Sequence, residues 1–160
     1  MSSLKYQQTL PKKRMGSGAL IFNQRGELLL LEPSYKPTWE IPGGVVEANE
    51  SPFVCCQREI KEELGLSLTV GRLLCIDYNP STQTRLESLM FIFDGGILSD
   101  PQIEAIELQA SELLSYRFFT MDQLPTNLSP TLRSRITKAW KNRLSNDDQA
   151  IYLENGASPF

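Results

Sequence analysis

Residues 44–66 decide the fold, and they read GVVEANESPFVCCQREIKEELGL. Ser51 followed by Pro52 is typical of a helix start, because serine caps free backbone N–H groups and proline has the backbone angle of the first helical position. Gly65 is typical of a helix end, because glycine readily adopts the left-handed conformation that closes a helix. The stretch therefore predicts a helix over residues 51–64.

The predicted helix has an apolar face and an acidic face. At about 100° per residue, we expect one face to be buried, and it carries Phe53, Cys56, Ile60 and Leu64. Glu59, Glu62 and Glu63 stand three and four residues apart, so their carboxylates converge beside that face and repel one another. The last turn also carries the negative end of the helix dipole. A divalent cation would offset this cost, whereas a solvated acidic face is the alternative interpretation.

The segment before the helix favours the cation. Pro42-Gly43-Gly44 forms a glycine turn, whose backbone can come close to a ligand. Oxygen atoms from such a turn, together with carboxylates, suit a hard cation. Arg58 can pair with Glu50 across the intervening loop, and we expect this pair to have a structural role.

These residues resemble a known family signature. The Nudix box has the pattern G-x5-E-x7-R-E-U-x-E-E-x-G-U, where U is aliphatic. Every fixed position of the pattern is filled here, by Gly44, Glu50, Arg58, Glu59, Ile60, Glu62, Glu63, Gly65 and Leu66. Residues 39–44 are similar to the family's usual lead-in. The chain therefore resembles the Nudix hydrolases over roughly residues 15–143.

The resemblance implies both a fold and a site. The implied fold class is α/β, an α/β/α sandwich around a mixed, partly curled β-sheet. Glu59, Glu62 and Glu63 would bind magnesium or manganese, with help from the carbonyl of Gly44. A bound water would attack phosphorus while a carboxylate takes its proton. Glu62, Glu63 and Glu112 are the candidates for that catalytic base.

The implied reaction is metal-dependent hydrolysis of a phosphoanhydride bond in a nucleoside diphosphate that carries another group. ADP-ribose, a nucleotide sugar and a nucleoside triphosphate all remain open as substrates. Pro80, fifteen residues after Gly65, favours the first two, whereas the short chain lacks the long N-terminal sheet of many ADP-ribose-type members. Two other classes also stay open. One is RNA 5′-end pyrophosphohydrolysis by way of the basic residues 133–143, and the other is a non-catalytic nucleotide-binding module.

Substrate contacts must come from outside the box, where the sequence is less informative. Trp39 could stack on a base, Arg85 could meet a phosphate, and Glu40 could contact metal or substrate. Core or rim positions are the alternative for each of these side chains. The same two interpretations apply to Tyr35, Lys36, Tyr78 and Phe93.

Composition narrows the remaining classes. The chain of 160 residues has room for one core, and its net charge of −3 argues weakly against nucleic acid as a partner. It contains no histidine and three cysteines without a CxxC pair, which excludes the usual zinc sites and a Ser-His-Asp triad. No apolar run could span a bilayer, so a cytoplasmic location is expected. Dimers are common among similar proteins, and a homodimer stays open.

We predict a single Nudix-type domain over residues 15–144, preceded by a loose arm over 1–14 and followed by a tail over 145–160. Outside the box, alternating and β-branched residues predict further strands. Those strands cover residues 18–22, 27–31, 67–78, 86–93, 103–108 and 116–120. Ser129 and Pro130 open a second helix that runs to about Leu144.

Overall fold

The computed structural model describes residues 2–160. Seven strands form one mixed sheet, and two longer helices, α2 and α4, pack against it. The elements, in chain order, are α1 Ser3–Thr9, β1 Arg14–Asn23, β2 Leu28–Pro33, β3 Gly43–Val45, α2 Pro52–Leu64, β4 Leu73–Asn79, β5 Ser88–Leu98, α3 Asp100–Glu104, β6 Leu113–Phe119, α4 Pro130–Leu144 and β7 Ile151–Glu154.

The sheet contains both parallel and antiparallel pairs. Its strand order is β6-β2-β1-β5-β4-β7, with β3 paired to β1. The β1–β5 and β4–β7 pairs are parallel, and the others are antiparallel. This is the mixed α/β architecture that the sequence predicts.

The sheet separates two cores because successive side chains of a strand point to opposite faces. Leu20 and Phe22 of β1 belong to the core under α4, where Leu132 and Ile136 pack. The core under α2 takes alternate positions of the same strands, together with Cys56, Ile60 and Leu64 of the helix. Helices therefore cover both faces of the sheet, which confirms the predicted sandwich.

The first two strands diverge and leave a wedge in the sheet. β1 and β2 form an antiparallel hairpin pair at Phe22 and Leu28. Farther along, residues 40–45 run between the two strands. Leu31 exchanges both backbone hydrogen bonds with Glu40, and Ala19 N–H donates to the carbonyl of Pro42. The glycine turn is therefore held by backbone bonds to both strands, in the interior of the sheet.

Helix α2 begins and ends at the residues that the sequence predicts. The Ser51 hydroxyl accepts a hydrogen bond from the Val54 N–H at 3.2 Å, and Gly65 closes the helix with φ of 71°. The prediction that Phe53 is buried is wrong, since 41% of it is exposed. Its ring instead meets the edge of Phe93 at the rim of the core, 5.8 Å away between centroids.

Several elements differ from the sequence predictions. The predicted strand over 103–108 is wrong, because a capping box between Ser99 and Gln102 starts the short helix α3 there. The predicted strand over 67–78 begins only at Leu73. The N-terminal arm contains α1, which buries no side chain. The segment 145–160 contributes β7, which pairs with β4 at the edge of the sheet.

Within residues 2–160, none of the helices offers the continuous apolar length that a bilayer crossing requires.

Candidate active site

A cavity of about 200 Å³ opens beside the wedge between β1 and β2. Its walls come from the start of β1, the segment 33–45, β5 and the first turns of α4. Gly43, Gly44 and Glu63 form its acidic end. The glycine turn and the end of α2 therefore face one shared space, which we call the cleft.

Glu63 is the buried carboxylate of the cleft. Only 9% of the residue is exposed, although it lies in the last turn of a surface helix. The N–H of Gly43 donates to its Oε2 at 2.9 Å. Burial raises the pKa of Glu63 to about 8, and the hydrogen bond from Gly43 only partly opposes that rise. The protein alone therefore compensates a charged Glu63 side chain only in part.

Glu59 lies against the same turn. A side chain at position 44 would collide with the Glu59 carboxylate, so glycine is needed for this approach. Burial raises the pKa of Glu59, and the neighbouring Arg58 lowers it. The structure thus brings two carboxylates, one turn of helix apart, onto the backbone of Gly43 and Gly44.

Arg58 ties the loop before α2 to the helix. Its Nε donates to Glu50 Oε1 at 2.7 Å, and its Nη2 donates to Glu50 Oε2 at 3.0 Å. Nη2 also donates to the carbonyl of Val45 at 3.2 Å. This double contact lowers the pKa of Glu50 to about 2. The pair expected from the sequence is present, and its geometry fixes the loop over residues 45–50.

The third member of the acidic trio, Glu62, is the most exposed of the three. Arg58 Nη1 donates to Glu59 Oε1 at 2.8 Å and to Glu62 Oε2 at 3.1 Å. The Glu62 side chain is 48% exposed. Across residues 2–160, no three acidic, cysteine or histidine side chains come together closely enough to enclose a metal ion. The structure therefore does not enclose the trio predicted from the sequence around one point: Glu63 is buried in the cleft, whereas Glu59 and Glu62 share Arg58 Nη1.

The donor atoms at the acidic end nevertheless fit a hard cation. Three carboxylates, those of Glu50, Glu59 and Glu62, share the Arg58 guanidinium, and the neighbouring Glu63 has only the Gly43 N–H as a donor within residues 2–160. The Gly44 carbonyl belongs to the β1–β3 ladder, opposite Ser17, and lies 3.8 Å from Cys55 Sγ. Carboxylate and carbonyl oxygens are the ligands that magnesium, manganese and calcium prefer. Glu59, Glu63 and Gly44 would hold such an ion, and Glu62 could join by rotating away from Arg58.

Of the other residues predicted to form the site, some line the cleft and some do not. Glu112 is exposed in the turn before β6, and its charge contributes to the raised pKa of Glu59 and of Glu63. Glu40 lines the cleft and pairs with Lys36 at 2.5 Å. Arg85 lines a neighbouring cavity, described below. Trp39 packs edge-on against Phe119, with 5.3 Å between centroids, and among the described residues it is not part of the cleft wall.

The remaining aromatic candidates divide in the same way. Tyr35 is 70% exposed and lines the cleft. Phe93 is buried in the core under α2, and the Tyr78 hydroxyl donates to Glu87 at 2.7 Å. Only Tyr35 of these three is placed to meet a ligand in the cleft.

Sequence reasoning missed two arginines of the cleft, Arg14 and Arg135. Arg14 begins β1, and its only sequence signal was a place in a basic run that resembles a solvated tail. Arg135 looked like part of a solvated helix face, yet it is 7% exposed and bonded to Asp77. No local pattern could have found Arg135, since its partner lies 58 residues away in the sequence.

The fold is a mixed sheet between helices, and the carboxylates at the end of α2 lie against a glycine turn. Together these features define a class of α/β proteins with an oxygen-rich cleft. Comparison with known families identifies the class. A model of the NUDIX domain matches residues 12–139, so the chain belongs to the Nudix family.

Individual relatives agree with this assignment. A MutT-like protein from Streptomyces ambofaciens is 26% identical over 131 residues, which covers 81% of this chain and 78% of that protein. The crystal structure of a MutT protein from Methanosarcina mazei Go1 is 25% identical, with a TM-score of 0.71, and covers 86% of this chain and all of that one. The mRNA-decapping enzyme subunit 2 of Saccharomyces cerevisiae is 36% identical over 66 residues. That match covers 41% of this chain but only 6% of the decapping subunit.

Proposed function

We propose that this protein is a divalent-metal-dependent pyrophosphohydrolase. Its substrate would be a nucleoside diphosphate linked to a further group, as in ADP-ribose, a nucleotide sugar or a nucleoside triphosphate. The observation that carries the proposal is the placement of Glu59 and Glu63 against the Gly43–Gly44 turn, with Glu63 buried at the end of the cleft and without an ion-pair partner among residues 2–160. Such a site favours a cation and, through it, a diphosphate.

Each part of the site has a proposed role. Glu59, Glu63 and the Gly44 carbonyl would hold magnesium or manganese, and Glu62 would complete the set. The bound ion would neutralise diphosphate charge and lower the pKa of a water molecule. Glu62, Glu63 or Glu112 would accept the proton of that water as it attacks phosphorus. Arg58 and Glu50 would keep the glycine turn fixed to α2, which is a positioning role.

The walls of the cleft would hold the rest of the substrate. Tyr35 offers an exposed ring for a base or a sugar, and Lys36 lies 5.6 Å from the centre of that ring. The Glu40 carboxylate, bonded to Lys36, offers acceptors for ribose hydroxyl groups. These groups suit a nucleotide better than a plain polyphosphate, which has neither a ring to stack nor hydroxyl groups to donate.

The basic face of α4 gives RNA less support as a substrate. Arg135 is committed to Asp77, and Arg143 Nε donates to Asp94 at 2.9 Å. Of the five basic side chains between residues 133 and 143, this leaves Arg133, Lys138 and Lys141 toward solvent. Since phosphate backbone binding scales with the number of free cations, RNA end processing stays the second choice. A non-catalytic module fits less well, because all three box carboxylates are retained.

A substrate screen with matched variants tests the proposal. The full chain would be assayed on ADP-ribose, nucleotide sugars, nucleoside triphosphates and dinucleoside polyphosphates, with magnesium, manganese or EDTA. We expect metal-dependent release of a nucleoside monophosphate or pyrophosphate, abolished by EDTA and reduced at least about a hundredfold in Glu59→Gln. Glu104→Gln, an exposed glutamate on α3, is the control and should match the wild type. Inactivity of the wild type on every substrate, or equal rates in both variants, would refute the proposal.

A further inference from the structure

A second cavity continues the cleft away from its acidic end. Its volume is about 280 Å³, and it shares part of its wall with the cleft. The residues that line both cavities are Arg14, Glu40, Met90, Leu132 and Arg135. Arg85 and the N-terminus of α4 complete the second cavity. We call it the arginine pocket, after Arg14, Arg85 and Arg135.

Two of the three arginines have no acidic partner. Arg14 and Arg85 are exposed, and neither guanidinium takes part in an ion pair or side-chain hydrogen bond with another part of the described chain, residues 2–160. Glu40 is the one acidic side chain among the lining residues, and Lys36 already neutralises it. The pocket wall therefore carries positive charge that the protein does not compensate.

The third arginine, Arg135, is held in the wall of the pocket by two side-chain partners. Arg135 is 7% exposed, with Nε donating to Asp77 Oδ2 at 2.7 Å and Nη2 donating to Asn79 Oδ1 at 3.0 Å. Its Nη1 makes no hydrogen bond within residues 2–160, although the residue lines both cavities. A guanidinium held by two partners and left with one unused donor edge at a cavity wall is suited to an anion.

The remaining polar groups of the pocket point to the same ligand. Ser129 and Thr131 belong to the N-terminus of α4, a helix of fifteen residues whose dipole favours negative charge there. Asn79 is 3% exposed, and its amide nitrogen has no acceptor in the described part of the chain. Arginine donors, an amide donor and a helix N-terminus form a donor-rich site without a competing free carboxylate.

We propose that the arginine pocket is an anion subsite that binds an additional phosphate group of the substrate, beyond the diphosphate that is cleaved. The inference rests on the proposed function for the identity of the substrate, but the pocket itself can be tested without catalysis. The additional phosphate could sit on a sugar hydroxyl group of the nucleotide or extend its polyphosphate chain. Both sources present the same oxygen acceptors to the three arginines.

The binding test uses inorganic pyrophosphate and the full chain in EDTA. Without a metal ion, the carboxylates at the acidic end repel this anion, so its binding reports on the arginine pocket. By isothermal titration calorimetry we expect the Kd of Arg14→Ala/Arg85→Ala to be at least about tenfold higher than that of the wild type, and added salt to weaken wild-type binding. Both side chains are exposed and unpaired, so the double variant should keep the melting temperature of the wild type.

Arg25→Ala is the matched control, because Arg25 follows the far end of β1, about 30 Å from Arg14 at about 3.3 Å per strand residue. Its Kd for pyrophosphate should stay within twofold of the wild type. Absence of pyrophosphate binding to the wild type, or equal Kd values for the wild type and the double variant, would overturn the anion subsite.

Kinetics then distinguish the two sources of the phosphate. ADP-ribose is compared with its 2′-phosphorylated form, and a nucleoside triphosphate is compared with a tetraphosphate. In the pair that uses the pocket, the double variant should raise KM for the member with the extra phosphate at least tenfold and leave kcat unchanged. Equal effects on both members of both pairs would overturn the substrate role. If no substrate is hydrolysed by the wild type, the proposed function fails, and calorimetry still reports on the pocket.

Discussion

Two networks in this molecule each pair an arginine with carboxylates, and they differ in the number of carboxylates that one guanidinium must neutralise. In the α2 network, Arg58 faces Glu50, Glu59 and Glu62, with side chains that are partly open to solvent. In the α4 network, Arg135 faces the single carboxylate of Asp77, which is completely buried. One guanidinium serves three carboxylates in the first case and one carboxylate in the second.

The balanced network has every carboxylate oxygen occupied. Asp77 accepts from Arg135 at Oδ2 and from the Gly156 N–H at Oδ1, at 2.7 Å and 3.0 Å. These bonds join β4, α4 and the C-terminal segment, so the network holds the fold together. The unbalanced network leaves negative charge over, because Arg58 faces three carboxylates, and the neighbouring Glu63 in the cleft has no ion-pair partner within residues 2–160. The comparison shows that the candidate site is marked by carboxylates in excess of their positive partners. The presence of charged side chains alone does not mark it.

Removing the carboxylate of the balanced network should have the largest effect. Asp77→Ala leaves Arg135 buried and unpaired, and loss of one partner of a buried ion pair costs about 3–5 kcal/mol. Urea unfolding would measure this loss of unfolding free energy. Asp94→Ala, which removes the partner of Arg143, a carboxylate that is 23% exposed where Asp77 is fully buried, is the control and should cost about 1 kcal/mol. Equal losses of unfolding free energy in the two variants would show that the Arg135–Asp77 pair stabilises the fold no more than the Arg143–Asp94 pair does.

Neutralising Glu63, the buried carboxylate beside the unbalanced network, should lower activity without lowering stability. Glu63→Gln keeps the shape of the side chain but removes a cation ligand, so kcat should fall at least about a hundredfold. The metal-free variant should be as stable as the wild type or more so at neutral pH, because burial raises the pKa of Glu63 to about 8 and this costs folding free energy that a glutamine avoids. Steady-state kinetics and thermal melts in EDTA would test both statements. A kcat within threefold of the wild type, or a clearly lower melting temperature, would contradict the contrast between the networks.

Magnesium should stabilise the protein through the unbalanced network. At ten times its Kd, a ligand that binds only the folded state adds about 1.4 kcal/mol, which is about 3–6 °C for a chain of this size. Differential scanning fluorimetry with and without magnesium would show the shift. The Glu59→Gln/Glu63→Gln double variant should lose it, whereas Asp94→Ala should retain it. A shift of the same size in the double variant would place the cation elsewhere.

The smallest effect on stability is expected at Glu62. Its side chain is about half exposed and meets only Arg58 at 3.1 Å, an arrangement that contributes at most about 0.5 kcal/mol. Glu62→Gln should therefore unfold at nearly the wild-type urea concentration. A loss above 1 kcal/mol would mean that Glu62 belongs to the structural part of the network, alongside Glu50.

The sequence predicted well what is encoded locally. Ser51, Pro52 and Gly65 fixed the ends of α2, because capping depends on residues within one turn. The contact of Arg58 with Glu50 spans eight residues and was also expected. The sandwich followed from the family resemblance together with the alternating strands. Local signals therefore gave the helix and the central part of the candidate site.

Features that depend on distant partners were not predictable. Arg135 became buried only because Asp77 lies opposite it, and β7 formed only because β4 offered a free edge. The strand predicted over 103–108 failed for a local reason, since Ser99 and Gln102 form a capping box that starts α3 just before it. The placement of Glu62 beside Arg58 was also missed, because helix spacing gives the face of a side chain and not its rotamer.

Strand β7 has a consequence for any shortened version of the protein. Its four residues pair in parallel with Cys75, Ile76, Asp77 and Tyr78. One of the four, Leu153, is buried in the core. A version that stops at residue 150 would present bare backbone donors and acceptors along β4, which is the situation that promotes intermolecular strand addition and aggregation. The last ten residues thus cover the edge of the sheet, and their removal would leave β4 as an unpaired edge strand that can pair with another molecule.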